Sequence, residues 1–110
     1  MNPQGNSGSS IRVVVVNESG FVREGLCRVI ERFSGIEVVA SIYSSEQLDE
    51  VAQNLQVDVV LIDAQLPSQT AFEATRRLSE SAATARVIIL SVNPSLVEVK
   101  RAMQVGAHGF

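Results

Sequence analysis

Three short apolar runs constrain this chain more than any other feature: Val13-Val14-Val15-Val16, Val59-Val60-Leu61-Ile62 and Val87-Ile88-Ile89-Leu90. Each is rich in β-branched residues and gives way at once to polar ones, Asn17-Glu18 after the first, Asp63 after the second and Ser91 after the third. Runs of this length, bounded by turn signals, predict strands buried on both faces, as in a parallel sheet covered by helices. In such a sheet the carboxyl ends of the strands lie along one edge, where ligands bind. A carboxylate, an amide-carboxylate pair and a hydroxyl are therefore expected to converge on one small pocket, with Asp63 its most informative member.

The rest of the chain alternates strand-like runs with helical stretches, the pattern of βαβ units. A first helix is expected from Ser19-Gly20, with Val22, Leu26, Val29, Ile30 and Phe33 on its buried face and Ser34-Gly35 as its stop. Residues 36–42 read as the second strand. Ser44 stands three residues before Gln47, the capping-box spacing, ahead of a helix with Leu48, Val51, Ala52 and Leu55 inward. Residues 58–62 read as the third strand. Thr70 and Glu73 repeat the spacing before a helix that turns Ala71, Ala74 and Leu78 inward and leaves Arg76 and Arg77 outside. Residues 86–90 form the fourth strand. Asn93-Pro94 supplies an N-cap and a first helical proline for a helix lined by Leu96, Val99, Ala102 and Met103, which Gly106 ends. Gly109-Phe110 opens a fifth strand.

Length and composition narrow the function classes. One domain fits in 110 residues, and 45% hydrophobic against 19% charged residues suits a filled core. Residues 1–10 have no apolar periodicity and are expected to be a disordered leader, with the domain proper at 11–110. A net charge of −3 offers no footprint for nucleic acid or an anionic membrane. Cys27 is the single cysteine, and neither a basic-then-apolar leader nor an 18-residue apolar span occurs, so a reducing cytoplasm is the expected location. Cys27 is expected to pack, His108 to lie solvated in its turn, and the Arg76-Arg77 pair to form a solvated face or to contact a partner.

Beyond the strand ends, several segments carry a resemblance: Arg23-Glu24-Gly25-Leu26, Leu61-Ile62-Asp63 followed by Leu66-Pro67, Glu73-Ala74-Thr75-Arg76-Arg77-Leu78, Ile89-Leu90-Ser91-Val92 and Gly106-Ala107-His108-Gly109-Phe110. Over residues 11–110 the chain resembles the receiver domain of NarL/LuxR-type two-component response regulators. The resemblance implies a flavodoxin-like, CheY-like, doubly wound α/β sheet of strand order 2-1-3-4-5, with strand five and the last helix largely missing. It implies helix one on one face and helices two to four on the other. It implies a signalling domain, not an enzyme. Asp63 would accept a phosphoryl group from a sensor histidine kinase and Ser91 would donate a hydrogen bond to a phosphoryl oxygen. Phe110 would be the aromatic switch residue. Mg²⁺, needed to offset repulsion between two anions, would be held by Glu18, Asp63 and the backbone carbonyl of Gln65, with Asn17 reaching it only through a water. DNA would be controlled only through an output domain outside this chain.

Three departures qualify that expectation. Asn17-Glu18 stands where two adjacent acids are usual, which removes one charge and lengthens the remaining acid, so metal affinity should fall. Ala71 stands where a glycine is usual, which disfavours a positive φ. The lysine three residues after the aromatic position would lie past Phe110. Asn17 and the absent lysine are the evidence for an alternative, a receiver-like interaction module that does not switch by phosphate, which stands second to the phosphoacceptor reading. A small flavodoxin-like enzyme or nucleotide binder is disfavoured, because no glycine-rich cradle follows the first strand. A fourth strand left as a bare edge predicts self-association.

Overall fold

The computed structural model describes residues 10–64, 70–81, 84–91 and 95–110. Four strands alternate with four helices: β1 (Ile11–Val16), α1 (Gly20–Ile30), β2 (Ile36–Ile42), α2 (Leu48–Asn54) entered through a 3₁₀ turn at Ser45–Gln47, β3 (Val59–Asp63), α3 (Thr70–Glu80), β4 (Arg86–Leu90) and α4 (Leu96–Gln104). All pairings are parallel, in the order β2-β1-β3-β4. This is the doubly wound order expected, and among the described residues there is no fifth full strand. Residues 1–9 lie outside the described part, so the disordered leader is not addressed by it.

One face of the sheet forms the core. Val14, Val16, Val60, Ile62, Val87 and Ile89 are buried there against Leu48, Ala71, Phe72, Ala74, Leu78 and Ala102 of α2, α3 and α4, and against Val105 at the end of α4. Buried Thr75 satisfies its hydroxyl within α3, donating to the Ala71 carbonyl at 2.8 Å. The inward set Ala71, Ala74 and Leu78 is as the periodicity predicts, and Arg76 and Arg77 are exposed.

The opposite face corrects the expectation of strands buried on both sides. That holds for β1, whose Val13 and Val15 are also buried, but in β3 and β4 burial alternates, leaving Val59, Leu61, Ile88 and Leu90 half-buried. Among the described elements α1 lies over this face, against β1 and β2. No residue of α1 is buried. Arg23, Leu26, Cys27 and Ile30, spaced as one helical face, are the most covered, while Val22, Val29 and Phe33 of the expected stripe are exposed and Phe21 is 91% exposed. The apolar arc of this helix is wider than the surface one neighbouring layer can cover.

Helix ends carry further corrections. Ser44 accepts from the Glu46 N–H at 3.1 Å and so starts the 3₁₀ turn, while α2 has Gln47 at its N-cap without a side-chain bond. Leu48 is fully buried, but Leu55 is exposed. The Thr70 side chain and Asn93-Pro94 lie outside the described residues. The start of α4 is marked instead by Ser95, whose Oγ accepts from the Glu98 N–H while Glu98 Oε1 accepts from the Ser95 N–H, both at 3.2 Å. This reciprocal pair is a complete capping box at the S-x-x-E spacing. Beginning there, α4 turns Ala102 inward and leaves Leu96 and Met103 exposed, against expectation. Gly106 ends α4 at φ +102° as predicted, and Gly35, at φ +86°, follows α1.

The edge of β4 is not bare. Gly109 bridges Ile88 in parallel, the Ile89 N–H donates to the Gly109 carbonyl at 3.0 Å, and His108 N–H donates to the Val87 carbonyl at 2.8 Å. His108 also does more than sit in solvent: its Nδ1 accepts from the Val87 N–H at 3.2 Å, standing in for the carbonyl that an adjacent strand would offer.

Candidate functional site

Parallel register brings the three polar strand ends together. Val16 pairs with Ile62 and Ile62 with Ile89, while Asp63 pairs with Leu90. One step beyond Val16 therefore sets Asn17 beside Asp63, and one step beyond Leu90 sets Ser91 at the same edge. The Ala64 N–H donates to the Leu90 carbonyl at 2.8 Å, so the chain leaving Asp63 stays tied to β4. Asp63, at the end of β3, and Ser91, directly after β4, are each half-buried and so reachable from solvent.

Asn17 is buried and committed to the backbone. Its N–H donates to the Ile42 carbonyl at 3.1 Å, and its Oδ1 accepts from the Ser19 N–H at 2.8 Å, an Asx turn. Ser19 in turn caps α1, its Oγ accepting from the Val22 N–H at 3.2 Å. Between them Glu18 is exposed at the sheet edge. Arg23, which the residue pattern presented only as part of a segment, folds back from α1 and donates from Nη1 to the Asn17 carbonyl at 2.8 Å. A guanidinium is thereby fixed at the turn that carries Glu18. Its spacing of six residues from Asn17 was the only available signal, and spacing alone does not specify a side-chain-to-backbone bond.

Of the remaining expected residues, Phe110 is partly buried and packs against the core. Gln65 lies outside the described residues. Ala71 is fully buried inside α3, where the backbone is helical, so no positive φ is required of it. Among the described residues no group of three or more His, Cys, Asp or Glu side chains could hold a metal. Among the described residues, the carboxylates that follow the strand ends here are Glu18 and Asp63. Mg²⁺ is usually held through one or two carboxylates with waters completing its octahedron, so the chemistry of this pair fits that ion, with fewer anionic ligands than a three-acid site. Among the described residues, no helix is long and apolar enough to cross a membrane.

Comparison with known proteins places the geometry in context. Residues 13–110 match the family described as Response regulator receiver domain. The response regulator UvrY of Escherichia coli (strain K12) is 34% identical over 100 residues, covering 91% of this chain and 46% of UvrY. The chain thus spans about half the length of the curated relatives it matches. Among solved structures, the signal receiver domain of the response regulator NarL from Mycobacterium tuberculosis superposes with a TM-score of 0.86 at 25% identity, covering 93% of this chain and 82% of the other. A chain from the complex of the P1 domain of CheA3 with CheY6 of R. sphaeroides superposes with a TM-score of 0.76 at 26% identity, covering 93% and 81%.

Proposed function

The chain belongs to the response regulator receiver domain family, with NarL/LuxR-type relatives, and on that footing we propose that Asp63 accepts a phosphoryl group from a phosphohistidine of a sensor histidine kinase. The observation that carries this reading is the register that aligns Asn17, Asp63 and Ser91 at one edge of the sheet. A carboxylate oxygen of Asp63 forms the new P–O bond as the P–N bond to the kinase imidazole breaks. The electron pair stays with the imidazole nitrogen, and an acyl phosphate remains on Asp63. Ser91 donates its hydroxyl hydrogen to a phosphoryl oxygen, and the partly buried Phe110 is the switch residue that responds to that contact.

Glu18 and Asp63 would hold Mg²⁺ through carboxylate oxygens, Gln65 through its carbonyl, and Asn17 only through a water. When bound, the ion supplies the positive charge that lets one anion approach another. The complex of a CheA3 P1 domain with CheY6 supports a kinase as partner. The domain acts as a cytoplasmic signalling receiver and not as an enzyme, and DNA is reached only through an output domain. The exposed apolar face of α1 supports self-association.

The alternative, an interaction module that does not switch by phosphate, draws on one observation: Asn17 Oδ1 is engaged by the Ser19 N–H at the position where a second acid would serve a metal. Acetyl phosphate with Mg²⁺, followed by intact-mass analysis, separates the two. A gain of one phosphoryl group, lost in Asp63→Asn, is the expected result. Equal labelling of Asp63→Asn, or none of either protein at saturating reagent, would leave the interaction module as the reading.

A further inference from the structure

Charge on this molecule is unevenly placed. The chain carries nine Lys and Arg against twelve Asp and Glu. Yet four of its cations, Arg76, Arg77, Lys100 and Arg101, line one groove between α3 and α4, where Glu73 is the single acid among the described lining residues. The groove has two lobes of about 350 Å³ and 390 Å³ that share Arg76, Arg101 and Val105 as walls. It contains none of Asn17, Glu18, Asp63 or Ser91.

The cations are not equivalent. Arg77 is answered by Asp49 at 3.1 Å, and the Arg101 guanidinium lies over the Phe72 ring, 4.7 Å from its centre, a cation–π contact that holds it. Arg76 and Lys100 are exposed and have no ion-pair partner among the described residues. A held guanidinium flanked by two uncommitted cations suits carboxylates, which a guanidinium fork binds in bidentate fashion. The rim adds an apolar contact, Val97, which is 75% exposed.

We propose that the α3–α4 groove is a docking surface for an acidic peptide segment of a protein partner, with carboxylates on Arg76, Lys100 and Arg101 and an aliphatic side chain on Val97. A nucleic acid is the weaker occupant. The net charge of −3 repels an extended polyphosphate at long range, and Glu73 interrupts any phosphate track along the groove.

The test uses the whole chain and a fluorescein-labelled peptide in which Asp and Glu alternate with Leu, read by anisotropy. Its Asn and Gln counterpart and a single-stranded DNA of similar length serve as the other arms. Saturable binding of the acidic peptide is expected, lost at about 1 M salt, where the Debye length is about 3 Å. Arg76→Glu combined with Lys100→Glu should weaken it by about tenfold or more, since two attractive contacts become repulsive. Glu73→Gln should tighten it. Thermal melts accompany the variants, and if the double reversal lowers the melting temperature, Arg76→Gln with Lys100→Gln carries the same comparison. No saturable binding, equal binding of the amide peptide, indifference to the charge variants, or tighter binding of the DNA would each overturn the proposal.

Discussion

A series of three glycine-to-alanine substitutions tests how the helices are joined to the sheet. Gly106 adopts φ +102°, and a Cβ there would meet Ser79 Cβ at 2.7 Å and Ser79 Oγ at 2.9 Å. Ser79 Oγ is itself committed, its one hydrogen shared between the Arg76 carbonyl at 2.8 Å and the Val105 carbonyl at 3.1 Å, so it cannot move without loss. An L-residue in this backbone region costs about 1–2 kcal/mol. Displacing packed neighbours adds about 1–3 kcal/mol. The stiffer unfolded chain offsets about 0.4–1 kcal/mol. Gly106→Ala should therefore destabilise by about 1–5 kcal/mol, a fall of roughly 4–8 °C in Tm for each kcal/mol in a domain of this size. Gly35 shares a positive φ, +86°, but a Cβ there meets nothing within 4 Å, so Gly35→Ala isolates the backbone term at about 1 kcal/mol. Gly25 lies inside α1 with open space around it, and Gly25→Ala should stabilise by about 0.5–1 kcal/mol. Urea unfolding followed by far-UV circular dichroism measures all three. Equal losses for Gly35→Ala and Gly106→Ala would show that the Ser79 contact yields freely, and a neutral Gly106→Ala would refute the left-handed backbone altogether.

Restoring an acid by Asn17→Asp should tighten Mg²⁺ binding by about tenfold, the added anionic ligand helping to offset dehydration of the ion. The Oδ of Asp can keep the Asx turn with Ser19, so an unchanged Mg²⁺ titration would argue against a metal at this edge. Ser95→Ala removes one half of the capping box at α4 and should cost about 1 kcal/mol in the same urea assay; no loss would mean that α4 starts elsewhere. Self-association through the outer face of α1, driven by apolar burial, should weaken on Phe21→Asp and be little altered by salt. Sedimentation at micromolar concentration that finds the unaltered chain monomeric would refute it.

Much of the architecture was legible because its signals are local. The runs at 13–16, 59–62 and 87–90 are too short for buried helices and too β-branched for anything but strands, and Asp63 and Ser91 follow from where two of those runs stop. Parallel pairing then sets the ends of three strands side by side, as the register of Val16, Ile62 and Ile89 does here. The inward face of α3 was equally readable, since Ala71, Ala74 and Leu78 leave a single apolar stripe.

Other features depend on what lies opposite a residue in space. Val22, Val29 and Phe33 have the periodicity of a buried stripe, but only Leu26, Cys27 and Ile30, with Arg23, turn to the sheet. Sequence reports that a residue can be buried, while a second layer decides whether it is. The same holds for Leu61 and Ile88, apolar on a face that α1 leaves half covered. Asn17 and Arg23 make the contrast at the site itself. Their identities are plain in the sequence, but the hydrogen bonds that lock one into an Asx turn and aim the other at its carbonyl arise only when the chain turns from β1 into α1. Periodicity and local propensity act along the chain, so sequence alone determines the elements and their polar ends; burial and hydrogen-bond partnership act across it, so only packing decides which faces and which donors remain available.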